Sequence, residues 1–287
     1  MKILDGKSLS AKVRDEVKGN ANSYFKTPIL AVITIGDDEA SKIYVKNKKK
    51  ACEYVGMSFM HFDYVSFVKE NVVIKKIKEL NKDPNVNGII LQLPIPENYN
   101  VQKILNTISP LKDVDALSDI SMGKIINNNY DFLPCTPKGI LEIFKFYKID
   151  LEGKHVCVIG RSNLVGKTIM LECLNRNATC TICHSKTKDL KKYTKDADII
   201  ISSVGKKNLI TKDMINKNAI VIDVGISRVD GKIYGDVSSD VECLMKTPVP
   251  GGVGPMTVAM LLKNTMIAYE IQNGIKNEEW SNRKKHN

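Results

Sequence analysis

Segments with a helical hydrophobic period and segments with a strand period alternate through the first hundred residues of this chain, and that alternation limits its fold more than any other feature. Residues 8–25 (SLSAKVRDEVKGNANSYF), 39–56 (EASKIYVKNKKKACEYVG) and 71–83 (NVVIKKIKELNKD) repeat apolar side chains three and four apart. Residues 28–36 (PILAVITIG), 58–65 (SFMHFDYV) and 86–96 (VNGIILQLPIP) are short apolar runs of strand length and composition. A helix after each strand carries the chain back across the sheet, so successive strands run parallel in βαβ units. The pattern breaks at 124–139 (KIINNNYDFLPCTPKG), rich in asparagine with two prolines, which reads as a connection between domains. It then resumes: strands at 155–160 (HVCVIG), 179–185 (TCTICHS), 197–205 (ADIIISSVG) and 218–227 (NAIVIDVGIS), with helices at 166–177 and in the lysine-rich stretch after residue 186. A last helix, 257–274, follows the turn-dense TPVPGGVGPM, and the tail 277–287 (NEEWSNRKKHN) is expected to fray. The sequence therefore predicts two α/β domains.

Composition removes several classes. At 287 residues and 43% hydrophobic content the chain can bury a core unaided. No apolar run follows the basic start, and none approaches the roughly 18 residues of a membrane span, so a cytoplasmic location without membrane contact is expected. Seven cysteines are an odd set for a disulfide framework. Cys180 and Cys183 have C-x-x-C spacing, yet they sit in a strand-like stretch with no second pair nearby, which argues against a metal site. The net charge of +11 favours small anionic partners; without a clustered Lys/Arg and aromatic platform, nucleic acid is not expected.

The segment GRSNLVGKT, 160–168, follows an apparent strand and ends like a phosphate-binding P-loop. A P-loop has four residues between its glycines, whereas five lie between Gly160 and Gly166. Asp223, closing the apolar AIVID, imitates the magnesium-holding acid of such proteins and keeps that reading open. The alternative is a dinucleotide turn, in which a glycine-containing loop and a helix start present backbone donors to a pyrophosphate. An NAD site usually ends the next strand with an acid, about 20 residues on. This chain has His184, Ser185 and Lys186 there, with Arg161 in the first loop; cations and hydroxyls suit the 2′-phosphate of NADP unless they are plain surface charge. The expected fold is thus α/β, the C-terminal domain a Rossmann-type parallel sheet, with a cleft between the two domains.

Wound at about 100° per residue, 41–55 places Ser41, Tyr44, Val45, Lys48, Ala51, Cys52 and Val55 on one face. Lys46, Lys49 and Lys50 point away, but Lys48 lies in the middle of the apolar stripe. Desolvation there depresses a lysine pKa and makes it a base or proton shuttle; the alternative is a lysine that snorkels beside the core. Tyr44, one turn earlier, is placed to hydrogen-bond Lys48 or order a substrate. The pair also spells Y-x-x-x-K, but it precedes the dinucleotide turn by more than a hundred residues, the reverse of the short-chain dehydrogenase order.

Gln92 interrupts the apolar GIILQLPIP with an amide that can donate and accept. Asp113 and Asp115 in SPLKDVDAL are either functional acids or turn residues. TPVPGGVGPMT, with Pro250, Gly251 and Gly252 at its centre, suits close backbone approach to a flat ligand or an elaborate start to the last helix.

Together DDEASKIYVKNKKKACEYVG, GIILQLPIP, KDVDA, PCTPKGI, VIGRSNLVGK, TCTICHSKT, ADIIISSVGK, IDVGISR, GDV and TPVPGGVGPMTVAMLLKNT resemble the bifunctional methylenetetrahydrofolate dehydrogenase/methenyltetrahydrofolate cyclohydrolase family over nearly the whole chain. The resemblance implies NADP as cofactor, tetrahydrofolate derivatives as substrates, oxidation of the methylene to the methenyl form and its hydrolysis to 10-formyltetrahydrofolate. A monofunctional dehydrogenase on the same scaffold is the alternative. It further implies that Lys48 assists hydrolysis, Tyr44 orders the folate, Gln92 supports the lysine and Asp115 binds the pterin, with Ser41, Pro250, Gly251 and Gly252 also at the substrate. Gly160, Arg161 and Ser162 would meet the cofactor, Ser185 its 2′-phosphate and Ile226 its nicotinamide end. Residues 1–137, joined by a C-terminal helix at about 257–287, would hold folate, and 138–256 NADP. Such chains pair as homodimers, and no metal is implied. Thr168, Ala116 and Ser227 depart from the family's usual proline, glycine and asparagine.

Overall fold

A computed structural model describes residues 1–275, so the expectation for 277–287 lies outside the described residues. The chain forms two compact units: Met1–Ala11 with Thr136–Thr257, and Lys12–Cys135 with the residues from Val258 on. In chain order the strands are β1 (Lys2–Ile3), β2 (Ile29–Ile35), β3 (Ser58–Tyr64), β4 (Val86–Leu91), β5 (His155–Ile159), β6 (Thr179–Cys183), β7 (Ile199–Ser202), β8 (Ile220–Asp223), β9 (Ser227–Val229), β10 (Lys232–Tyr234) and β11 (Met245–Lys246). The α-helices are α1 (Gly6–Asn22), α2 (Glu39–Val55), α3 (Glu70–Lys82), α4 (Val101–Leu105), α5 (Asp119–Ile126), α6 (Cys135–Tyr147), α7 (Thr168–Leu174), α8 (Lys191–Thr194) and α9 (Val253–Gln272).

In the unit built on residues 12–135, a parallel sheet runs in the order β3-β2-β4. The central strands β2 and β4 are buried almost throughout, as strands covered on both faces are, whereas edge strand β3 is largely exposed. Ile33, Ile77, Ile89 and Ile104 form the centre of a core between this sheet and helices α3 and α4. Helix α2 is capped by Asp38, whose carboxylate accepts from the Ser41 amide at 2.7 Å, and ends at Gly56, whose φ of 78° only glycine adopts freely.

The other unit holds a six-stranded, all-parallel sheet in the order β1-β11-β8-β7-β5-β6. From β5 the chain moves outward to β6 and then returns to the other side of β5 as β7. That reversal is the topological switch of doubly wound sheets, where dinucleotides bind. Cys157, Ile200, Ile210 and Val221 centre its core.

Several local expectations are corrected. The connection at 124–139 contains the start of α6, because Pro137 falls in its first turn, where a missing N–H is harmless. The run 218–227 is not one strand: β8 stops at Asp223, and Ser227 opens the antiparallel β9–β10 hairpin. The lysine-rich helix is the single turn α8, and α1 ends at Asn22. The first eleven residues join the Rossmann-type unit, since β1 pairs with β11.

Candidate active site

Lys48 rises from α2 inside the smaller-sheet unit and donates to Gln92 Oε1 at 2.8 Å. Gln92 follows β4; its own N–H donates to Ile33 O at 2.8 Å, and its Nε2 donates to Leu93 O at 2.7 Å. With the amide nitrogen so engaged, only the oxygen can face the lysine. Although part of the Lys48 side chain reaches the surface, burial of its ammonium holds the pKa below 10.5, opposed by the nearby charges or potential charges of Asp115, Cys135 and Cys52. Burial pushes the Cys52 thiol up to about 12, so it faces the lysine as a neutral group.

The KDVD stretch divides its labour. Lys112, 6% exposed, donates to Leu80 O at 2.8 Å and Asp83 O at 2.6 Å and so closes the end of α3. Asp113 accepts from the Leu117 and Ser118 amides and the Ser121 hydroxyl, making it the turn residue of the pair. Asp115 is left near Lys48. Ala116 takes φ 54° there, the left-handed conformation the family's glycine would adopt without strain. From α9, Asn264 Nδ2 donates to Val114 O and Leu133 O, tying this loop to the segment that precedes Cys135.

One expected neighbour departs from the helical projection. Tyr44 is 40% exposed at the margin of the stripe, and its hydroxyl makes no hydrogen bond among the described residues, Lys48 included. Ser41 is buried as the projection places it, with a hydroxyl that finds no partner among the described residues. A cavity of about 470 Å³ in this unit is lined by Ser41, Gln92, Thr34, His61, Lys46 and Lys49. Cys135 and Cys52 were not legible as neighbours of Lys48; only the burial of Cys52 was, from the helical stripe.

In the Rossmann-type unit, Gly160 ends β5 at φ 119°, and a Cβ there would lie 2.5 Å from Ser203 Oγ beyond β7, across the topological switch. A Cβ on Gly166 would lie 2.0 Å from Gly160 O. The two glycines of the apparent P-loop therefore let helix and strand end touch each other. The extra residue between them is absorbed by a wide π turn, Asn163–Lys167, in which Lys167 N donates to Ser162 O at 3.0 Å. Ser162 caps that turn, its Oγ accepting from Val165 N at 3.2 Å, and Thr168, in place of proline, donates to Asn163 O at 2.7 Å. Asp223 accepts from the amides of Asp236 and Val237, an engagement that removes it as a magnesium ligand. Arg161 and Ser185 are exposed at the ends of β5 and β6, and neither side chain makes an ion pair or hydrogen bond among the described residues; Ile226 is 44% exposed beyond β8. Free donors beside an apolar surface at a switch point fit a phosphorylated dinucleotide.

Pro250 is exposed, while Gly251 and Gly252 pack against the chain itself: Lys7 N donates to Gly251 O at 2.8 Å, and a Cβ on Gly6 would meet Gly252 O at 1.9 Å. Cys180 and Cys183 lie on opposite faces of β6, Cys180 Sγ donating to Met170 O and Cys183 Sγ lying 4.0 Å from Cys157 Sγ.

Fold and site thus define a two-unit α/β protein with a dinucleotide-type sheet in one unit and a desolvated lysine–amide pair in the other. Residues 4–115 match the catalytic domain of tetrahydrofolate dehydrogenase/cyclohydrolase, and 134–273 match its NAD(P)-binding domain. The chain is 48% identical to the bifunctional protein FolD of Nautilia profundicola over 277 residues, covering 93% of this chain and 97% of that protein. Among solved structures, the Campylobacter jejuni bifunctional methylenetetrahydrofolate dehydrogenase/cyclohydrolase superposes with a TM-score of 0.93 at 44% identity, covering 94% of this chain and 99% of the other. The Trypanosoma brucei enzyme, solved with NADP and an inhibitor, gives 0.89 at 30% identity, covering 94% and 97%. The chain belongs to the tetrahydrofolate dehydrogenase/cyclohydrolase family.

Proposed function

We propose that this chain oxidises 5,10-methylenetetrahydrofolate to the 5,10-methenyl cation with NADP⁺ and hydrolyses that cation to 10-formyltetrahydrofolate, serving one-carbon metabolism. The observation that carries this reading is the Lys48–Gln92 hydrogen bond at a desolvated ammonium, on a chain whose relatives are bifunctional. NADP⁺, when bound, takes a hydride from the methylene carbon. Hydride transfer asks the protein for positioning and exclusion of water rather than for a strong acid or base. Hydrolysis asks for more: the attacking water must give up a proton as its oxygen bonds to the methenyl carbon. A neutral Lys48 Nζ takes that proton, and Gln92 holds the amine in place.

Asp115 then binds the pterin through its donors, Tyr44 offers its exposed ring to the folate, and the unpartnered Ser41 hydroxyl meets a polar substrate atom. Pro250, Gly251 and Gly252 contact substrate through backbone. Gly160, Arg161, Ser162, Ser185 and Ile226 hold the cofactor, with Arg161 and Ser185 supplying the donors for the 2′-phosphate. Folate belongs to the unit with α2 and NADP to the Rossmann-type unit. A homodimer fits the edge of β3, unpaired among the described residues, and the exposed Phe67 beyond it, and a cytoplasmic location fits seven free thiols.

The test follows methenyl absorbance after methylenetetrahydrofolate is mixed with NADP⁺ or NAD⁺, then supplies the methenyl compound alone. Turnover that favours NADP⁺ together with accelerated decay is the expected result. Turnover without accelerated decay would reduce the chain to a monofunctional dehydrogenase, and no turnover with either cofactor would overturn the reading.

A further inference from the structure

Two carboxylates lie beneath the ends of β7 and β8, Asp236 wholly buried and Asp223 4% exposed. No lysine, arginine or histidine forms an ion pair with either among the described residues. Burial pushes Asp223 up to about 6, its contacts with the Val237 and Asp236 amides pulling the other way and the Asp236 charge adding to the rise. Two like charges buried together burden the fold, so an apolar pair would serve stability better. What the pair does instead is visible in its donors.

Asp236 accepts from Ser202 Oγ at 2.7 Å, Val204 N at 2.8 Å and Lys206 N at 2.7 Å, so a single carboxylate fixes three points of the turn that leaves β7. Gly205, between two of those donors, takes φ 79°. The turn that leaves β8 rests on the same group, since a Cβ on Gly225 would fall 2.0 Å from Asp236 Oδ1. Asp223 in turn accepts from Asp236 N at 2.9 Å and Val237 N at 3.0 Å, which fixes the strand of chain that presents Asp236. The two turns also touch, a Cβ on Gly205 lying 3.4 Å from Ile226 O. With their amides directed inward, they present Val204, 48% exposed, and Ile226, 44% exposed, at the carboxyl ends of adjacent strands beside the switch point.

We infer that Asp236, held by Asp223, is a positioning residue for the dinucleotide: it shapes the Ser203–Lys206 and Val224–Ile226 turns into the apolar surface that receives the nicotinamide half. The inference rests on the NADP-dependent reading above. Both turns lie in the Rossmann-type unit, whereas Lys48 and Gln92 lie in the other, so the two activities separate the effects.

Asp236→Asn keeps the volume but turns an amide donor toward backbone donors. NADP⁺ affinity measured by isothermal titration calorimetry is expected to fall about tenfold or more, and KM for NADP⁺ to rise in parallel, as for the loss of a charge-assisted hydrogen bond. Hydrolysis of supplied methenyltetrahydrofolate, which needs no cofactor, should stay within about twofold of the parent. Unchanged NADP⁺ affinity, or loss of both activities in proportion with a lowered melting temperature, would overturn the inference. Should Asp236→Asn not fold, Ser202→Ala, which removes one of the three donors, decides by the same pair of measurements. If the parent protein itself bound no NADP⁺, the functional reading would fall first, an outcome visible before any variant is made.

Discussion

Lys48 Nζ and Gln92 Oε1 meet at 2.8 Å, joining the middle of α2 to the residue that follows β4. The amide is oriented by its own bond to Leu93 O, so the contact persists whether the amine is charged or neutral. Lys48→Met removes the proton acceptor while keeping an apolar stem of similar length. Hydrolysis is expected to fall by about 10²- to 10⁴-fold, with NADP⁺ affinity unchanged by calorimetry. The variant should also melt higher at neutral pH. A lysine whose folded pKa lies below its unfolded 10.5 weakens the fold as pH falls through the folded value, and methionine has no such charge to bury. A lower melting temperature with hydrolysis intact would count against both roles.

Gln92→Glu replaces a neutral acceptor with an anion at the same distance. The ammonium form gains a partner, so the Lys48 pKa rises and less of the amine is free to take a proton at neutral pH. Hydrolysis at pH 7 should drop, and the limb of its pH–rate profile that reports loss of the lysine proton should move to higher pH. A profile of unchanged shape, scaled down uniformly, would point to lost substrate binding instead.

Asp223 gives the fold a dependence on pH of the opposite sign to the usual acid. Its folded pKa of about 6 lies above 3.8, so its contribution is fully present below 3.8 and is lost as pH rises through about 6. The raise is worth about 3 kcal/mol. Asp223→Asn stays neutral at every pH and keeps one of the two amide contacts. Denaturant titrations of parent and variant should therefore show the parent losing stability relative to the variant between pH 4 and about 7, levelling off above that. A constant difference across the range would contradict the raised value.

Lys112 is buried, which holds its pKa below 10.5, and is bonded to two carbonyls at the end of α3, which makes it the anchor of the loop that carries Asp115. Lys112→Met leaves Leu80 O and Asp83 O without their donor and should cost about 2 kcal/mol by chemical denaturation. Lys50→Met, at an exposed position of α2, should change stability by no more than about 0.5 kcal/mol.

Much of this was readable in the sequence because the informative residues violate their local pattern. Lys48 stands out in an apolar stripe and Gln92 in an apolar strand, and the βαβ alternation fixes a parallel sheet before any contact is known. What escaped depends on distant partners. Two residues, Lys2 and Ile3, become a sheet edge only because Met245 and Lys246 are there to receive them. Asp236 sits in the Gly-Asp-Val after a hairpin, a stretch that carries the resemblance but says nothing of its partners, and its three donors come from about thirty residues earlier. Tyr44 was drawn into the stripe by its angle on the helix, yet a projection does not say how wide the covered face is.

The glycines of GRSNLVGKT decide between a phosphate cradle and a packing device. A Cβ on Gly166 would stand 2.0 Å from Gly160 O, 2.6 Å from its carbonyl carbon and 3.0 Å from Arg161 N, all backbone atoms that cannot swing aside. Gly166→Ala must therefore push the π turn away from the end of β5, at a cost of about 3 kcal/mol, and displace Arg161 and Ser162 from the dinucleotide. Gly19→Ala, inside α1 with nothing within 4 Å, should instead stabilise by up to about 1 kcal/mol. Calorimetric melting of the two variants with and without NADP⁺ checks both. The parent and Gly19→Ala should gain melting temperature on adding NADP⁺ and none on adding ATP with Mg²⁺, while Gly166→Ala should melt lower and gain little from either. A Gly166→Ala protein as stable as the parent would mean that helix and strand do not touch where these two glycines meet.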